Sequence, residues 1–274
     1  MLDDVIEKVR KLVPLIHCIT NYVTVNDVAN SLLAAGGSPI MADDLGEVEE
    51  MTSLCQGLVL NIGTLNRRTT ASMLSAGKKA NELGHVVVLD PVGAGASKLR
   101  TETALQLIKE IHFDVIKGNI SEIKTLVFGD GNTQGVDAAE GDGVTEENLD
   151  EMICFARKLS ERTGAIIAIT GAIDLVVNTS KAYVIRNGNP LMAKITGTGC
   201  MLTGIMAAYV AAHREKAIEA AVMAISAMGY CGEIAYEKLK QIEGGTSTYK
   251  MLMIDEISKL TDEKLKGGCK IEVR

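Results

Sequence analysis

Short apolar runs without polar alternation recur along this chain: "PLIHCI" at 14–19, "SPIMA" at 38–42, "GLVLNIG" at 57–63, "HVVVLD" at 85–90, "FDVIKGN" at 113–119 and "AIIAIT" at 165–170. A strand with one wet face would alternate, so these runs predict strands covered on both faces. Between them the period changes. In "NDVANSLLAAGG" Val28, Leu32 and Ala35 fall on one helical stripe, with glycines at the stop. "RRTTASMLSAGKKANELG" runs as a second helix to a glycine before the next strand. Strand and helix in alternation predict an α/β protein of three layers, with a mostly parallel central sheet flanked by helices and right-handed crossovers. "DLVVNTSKAYVIRNG" breaks the rhythm with two short alternating runs around "NTSK", which predict an antiparallel hairpin at the sheet edge. From about Met201 to Leu260 the pattern is almost wholly helical. No linker composition interrupts it, so residues 1–274 are expected to form one domain.

Composition narrows the function classes. The 274 residues are 47% apolar, enough for a substantial core. A formal charge of −7 with no lysine or arginine cluster argues against a nucleic-acid partner, so any phosphate must be held locally. The start, "MLDDVIEKVRKLVPLIHCIT", carries acidic residues where a signal peptide would be basic, and no stretch reads as a membrane span. A cytoplasmic location is expected. Cys18, Cys55, Cys154, Cys200, Cys231 and Cys269 show no CxxC pair or regular spacing, so reduced thiols are expected rather than a disulfide framework or zinc site. Aromatic residues make up only 3% and tryptophan is absent, whereas there are 12 methionines. A bound heterocycle would rest on thioether and backbone contacts more than on stacked rings.

In open α/β sheets ligands bind beyond the carboxyl ends of the strands. Four segments stand there: "DPVGAGAS", "KGNISEI", "ITGAID" and "TGTGC". In the first, Asp90 closes a strand, and Gly93 and Gly95 either admit a ligand or simply make a tight turn. It is neither a dinucleotide fingerprint nor a P-loop, since Lys98 stands where the third glycine belongs and GxxxxGK[ST] is absent. In "KGNISEI", Asn119 and Glu122 form a capping box by their spacing; alternatively Glu122 joins Asp90 around a hydrated Mg2+. The acidic stretch 129–144 begins like an EF-hand with Asp130, Asn132 and Gly135. Gln134 at a ligand position and Gly141 in place of the closing glutamate set that match aside.

"TGTGC" carries the strongest signal. Gly197 and Gly199 bring consecutive N–H groups to a helix start, where the dipole adds positive charge, a site suited to a transferring phosphoryl group. Cys200 at that helix start could serve as base or nucleophile. A Cys/His hydrolase requires that His17, His85, His112 or His213 fold beside it.

The order of "PLIHCITNYVTVNDVAN", "SPIMA", "LVLNIGTL", "LDPVGAGAS", "NISEI" and "ITGTGCMLTG" resembles the hydroxyethylthiazole kinases of the ribokinase-like superfamily across nearly the whole chain. Most ribokinase relatives carry aspartate where Cys200 stands. The resemblance implies a ribokinase-like fold and transfer of the ATP γ-phosphoryl group to the primary alcohol of 5-(2-hydroxyethyl)-4-methylthiazole, a thiamine salvage step. It implies a homotrimer with active sites at subunit boundaries. By position, Met41, Gly197 and Asn21 would contact the thiazole, and Lys117 and Thr170 would contact ATP. Asp90 and Glu122 would organise Mg2+, Cys200 would lie near the reacting hydroxyl, and the turn of Gly197 and Gly199 would hold the phosphoryl oxygens. The family usually has arginine at Lys117, so the charge stays and the bidentate fork is lost. Alternatives are a kinase for pyridoxal or hydroxymethylpyrimidine, a thiol hydrolase, and a noncatalytic heterocycle-binding protein.

Overall fold

The structure, a computed structural model, describes residues 2–129 and 143–274. Asp130, Asn132, Gln134, Gly135 and Gly141 of the EF-hand-like stretch lie outside the described residues. The first half alternates as the apolar runs predict: α1 (Val5–Leu12), β1 (Leu15–Ile19), α2 (Val25–Ala35), β2 (Ser38–Ile40), α3 (Val48–Leu54), β3 (Gly57–Asn61), α4 (Arg67–Leu83), β4 (Val86–Asp90), α5 (Lys98–Glu110), β5 (Val115–Asn119) and α6 (Ile120–Phe128). There follow α7 (Leu149–Thr163), β6 (Ile166–Thr170), β7 (Asp174–Val177), β8 (Ala182–Ile185), α8 (Thr198–Ala212), α9 (Ala217–Leu239), α10 (Thr246–Lys259), α11 (Asp262–Gly268) and β9 (Ile271–Val273).

The strands form one sheet in the order β2-β1-β3-β4-β5-β6-β7-β8-β9. From β2 to β6 every pairing is parallel; from β6 to β9 every pairing is antiparallel. Absence of alternation in the strands has the expected cause. In β4, Val86 and Val88 enter a core shared with α1, α2, α8, α9 and α10, while Val87 and Leu89 enter the opposite core with α4 to α7. Both faces are covered, giving the three layers.

Two expectations need correction. The hairpin β7–β8 is not the sheet edge, because Tyr183 pairs with Val273 and Ile185 with Ile271, which makes β9 the edge. Three residues of strand are too short to announce themselves by pattern. Arg214–Leu239 is, by length and composition, apolar enough to cross a membrane, contrary to the expectation that no stretch is. However, 72% of its apolar window is buried inside the protein, where α9 packs on α8 and α10.

Candidate active site

Parallel strands end on one edge, and the sequence candidates collect there. Asn21 follows β1, Met41 follows β2, and Asn61, Asp90, Asn119 and Thr170 close β3, β4, β5 and β6. Asn61 pairs in register with Asp90, and Asn119 with Thr170. α8 crosses β1, β3 and β4 with its first turn at this edge.

That first turn is built to leave donors free. Gly197 is the N-cap residue at φ 91°, and no side chain caps the helix. The N–H groups of Thr198, Gly199 and Cys200 precede Met201, whose N–H makes the first intrahelical bond, to the Gly197 carbonyl at 2.8 Å, so they remain available to an anion. A Cβ on Gly197 would lie 2.6 Å from Thr24 Cγ2 and require a left-handed backbone, so glycine is demanded twice over. Gly199 is constrained differently: a Cβ there would stand 3.1 Å from Lys117 Nζ.

Cys200 is half-buried and receives two amide N–H groups at its sulfur, from Asn21 Nδ2 at 3.2 Å and Asn61 Nδ2 at 3.3 Å. The same amides are tied to the scaffold. Asn21 Nδ2 also donates to Asn61 Oδ1 at 3.1 Å, and Asn61 Nδ2 to Asp90 Oδ2 at 2.9 Å. Asn21 Oδ1 accepts from the Thr24 hydroxyl at 3.0 Å, and Thr24 is the residue against which Gly197 packs. Turn, thiol and strand ends are thereby one connected network.

Asp90 is almost wholly buried, and three donors share its Oδ2: Thr203 Oγ1 at 2.7 Å, Asn61 Nδ2 and Lys117 Nζ at 3.1 Å. Lys117, also buried, directs Nζ to the Gly199 carbonyl at 3.1 Å and the Thr203 hydroxyl at 3.4 Å as well. Burial works against its charge, but Asp90 foremost, with Cys200 and Glu122, outweighs burial and raises its pKa. Its three N–H groups all meet partners within the chain.

Glu122 forms the capping box with Asn119, accepting the Asn119 N–H at Oε2 over 2.8 Å. Its Oε1 accepts the Gly93 N–H at 2.8 Å. Burial first, and the Asp90 charge second, push its carboxyl above the ordinary range. The close approaches at Gly93 and Gly95 are to the chain's own Arg100 and Thr125 side chains, so that segment is a self-filled turn. Asp90 Oδ1 is buried with no partner. An unpaired hard oxygen next to a second carboxylate suits an ion that keeps most of its own waters, so the residues present fit a hydrated Mg2+.

The α8 turn also borders a cavity of about 780 Å³, lined by Asn119, Thr170, Thr198 and Gly199 and by the apolar Leu202, Ile225 and Met228. Among the described residues no aromatic ring lines it, in keeping with the composition. Asp174 also borders it, accepting the Gly171 N–H at 2.8 Å, and burial pushes its carboxyl up to about 7.

None of the histidines hydrogen-bonds Cys200 among the described residues. His17 donates Nε2–H to the Ala42 carbonyl and accepts the Thr52 hydroxyl at Nδ1, both at 2.8 Å, which makes it a neutral tie for the loop after Met41. His213 is spent on the Tyr209 carbonyl. Three further thiols are inert fillers: burial pushes Cys18 and Cys231 up to about 12 and Cys55 to about 11.

With this geometry in place, comparison with known proteins is decisive. Residues 6–263 match the hydroxyethylthiazole kinase family. The chain belongs to that family. It is 58% identical to the hydroxyethylthiazole kinase of Clostridium acetobutylicum, over 99% of both chains. The structure of a hydroxyethylthiazole kinase protein from Pyrococcus horikoshii superposes with a TM-score of 0.87 at 34% identity, covering 98% of each chain. A ribokinase-like superfamily protein from Enterococcus faecalis shares the fold with a TM-score of 0.65, 12% identity and 96% coverage of each chain. Within the hydroxyethylthiazole kinase framework, the residues not anticipated from sequence are Asn61 and Thr203, while Asp174 lies in the candidate segment "ITGAID" without having been singled out. Asn61 ends an otherwise apolar strand, and Thr203 is a hydroxyl within an apolar helix; those interruptions were the available signals.

Proposed function

We propose that this chain, acting as a single domain over residues 1–274, phosphorylates the primary hydroxyl of 5-(2-hydroxyethyl)-4-methylthiazole with ATP, a thiamine salvage step. One observation carries the reading: the first turn of α8 is a shared wall, with Cys200 facing the Asn21 and Asn61 amides while Thr198 and Gly199 border the 780 Å³ cavity. Two ligands on either side of that wall would meet at its uncapped N–H groups.

In the proposed reaction the alcohol oxygen forms a bond to Pγ as the bond from Pγ to the ADP oxygen breaks. The hydroxyl proton leaves to Cys200 as its thiolate, which becomes the thiol, or to water. Such a loose transition state needs little basicity and much charge stabilisation. The N–H groups at Thr198, Gly199 and Cys200 supply the latter, reinforced by the helix dipole. Cys200, held by two amides, positions the hydroxyl. Met41 and Asn21, with Gly197, line the alcohol side; Thr170 lines the ATP side. Lys117 contributes a fixed positive charge behind the turn, and its bond to the Gly199 carbonyl keeps the turn's N–H groups facing outward. Asp90 and Glu122 would hold a hydrated Mg2+, which would neutralise phosphate charge when bound.

Family membership further supports a homotrimer with sites at subunit boundaries and a cytoplasmic enzyme. Exposed Tyr22 and Val23, directly after Asn21, are apolar surface at the alcohol side that a neighbouring subunit would cover. The test is product analysis: with Mg2+ and ATP, the thiazole phosphate ester and ADP form in equal amounts. ATP breakdown with no ester would refute the assignment.

A further inference from the structure

Asp174 is unaccounted for by the chemistry above. It is 9% exposed and opens β7. Its Oδ1 closes the turn after β6 by accepting the Gly171 N–H, and among the described residues nothing hydrogen-bonds its Oδ2. The carboxyl lines the same cavity as Thr170 and Thr198, among the apolar Leu202, Ile225 and Met228. Turn closure needs only one acceptor, which an asparagine would supply without the cost of a buried charge. The second carboxylate oxygen is therefore left to accept from a ligand donor in the cavity. Phosphate is a poor candidate, because an anion would repel it.

The geometry points to Asp174 as the residue that accepts a hydrogen bond from a neutral donor on the nucleoside part of the phosphoryl donor. This rests on the reading that the cavity takes ATP. The donor is a ribose hydroxyl or the exocyclic amine of the base; both present the same chemistry to a carboxylate, and nucleotide analogues separate them.

The experiment measures nucleotide affinity calorimetrically on the full chain without alcohol, so it does not depend on the acceptor's identity. Wild type is titrated with ATP, 2′-deoxy-ATP, 3′-deoxy-ATP and purine riboside triphosphate. One of the three analogues should bind about 10-fold to 100-fold more weakly than ATP, the range for a hydrogen bond to a charged group. Asp174→Asn keeps an acceptor for Gly171 and turns a donor toward the cavity. It should lose the same factor for ATP and lose nothing further with that analogue, a coincidence that a purely structural role would not produce. The inference is overturned if all three analogues bind wild type as tightly as ATP. It is equally overturned if Asp174→Asn binds ATP undiminished, the result expected were Asp174 a protonated donor to phosphate. Should the variant fail to fold, the wild-type analogue series alone decides. A wild type that binds ATP in this pattern but phosphorylates no thiazole alcohol would refute the proposed function and leave the role of Asp174 standing.

Discussion

In the proposed reaction the work at the α8 turn is divided unequally between a thiol and the glycines beside it. Cys200→Ala removes one acceptor but leaves the turn and both amides in place, so kcat should fall by less than about 100-fold, the low end for loss of a general base. Gly197→Val forces a side chain onto Thr24 at φ 91° and displaces the whole turn, and its loss should be far greater. Steady-state rates for the two variants check this; equal, near-total losses would mean that proton transfer to sulfur dominates. Asp174 yields a prediction in stability. Folded, its carboxyl titrates at about 7, against 3.8 ordinarily, because it is buried. Between those values the folded chain keeps a proton that the unfolded chain has released, so this group lowers stability as pH rises and its full cost is present above about 7. Thermal midpoints should therefore drop more from pH 5 to pH 8 in wild type than in Asp174→Asn; parallel drops would contradict the assignment. The glycines, the cysteine and the strand-end acids were readable from sequence because their types are unusual where they stand. The partners of Cys200 were not, since Asn61 and Asn21 are 40 positions apart and meet only through β1–β3 pairing.

α8 both carries the proposed phosphoryl-binding turn at its start and forms the central piece of one core. Its buried residues surround it, as in a helix apolar on all sides, and this leaves no periodicity from which to read a face. Small residues let it lie close to α2: a Cβ on Gly204 would stand 3.2 Å from Val28 Cγ1. Gly204→Val should overpack that contact and cost about 1–3 kcal/mol in urea unfolding, and it should also raise KM for the alcohol by shifting the turn at the helix's start. An unchanged unfolding midpoint would show that the α2–α8 contact is slack. Elements with a clear local signal were foreseen closely; α2 ends at Gly36 (φ 98°) and α4 at Gly84 (φ 65°), where the glycines predicted it. β9 was missed because its strand identity comes from pairing with β8, and the membrane-like length of α9 was missed because apolarity in a core helix and in a span look alike until burial is known.

Across the whole molecule, the parallel half of the sheet lines up the strand ends and the antiparallel half borders the cavity proposed for the nucleotide, with the α8 turn between them. This division was only partly foreseeable: strand runs predicted the edge on which ligands sit, but not that one helix start would face both. A neighbouring subunit at Tyr22 and Val23 would complete the alcohol side, so sedimentation should return a mass of three chains; a monomer with full activity would contradict the intersubunit site. The central claim is that this fold transfers phosphoryl groups to the thiazole alcohol and that Cys200 marks that choice within the superfamily. It is tested most directly by alcohol-dependent ADP formation from Mg2+ and ATP across a panel of hydroxyethylthiazole, pyridoxal and hydroxymethylpyrimidine. The account predicts that kcat/KM for the thiazole exceeds that for either other alcohol by at least about 100-fold, a discrimination of a few kcal/mol. Equal or greater efficiency with pyridoxal or the pyrimidine, or no thiazole-dependent ADP, would contradict it.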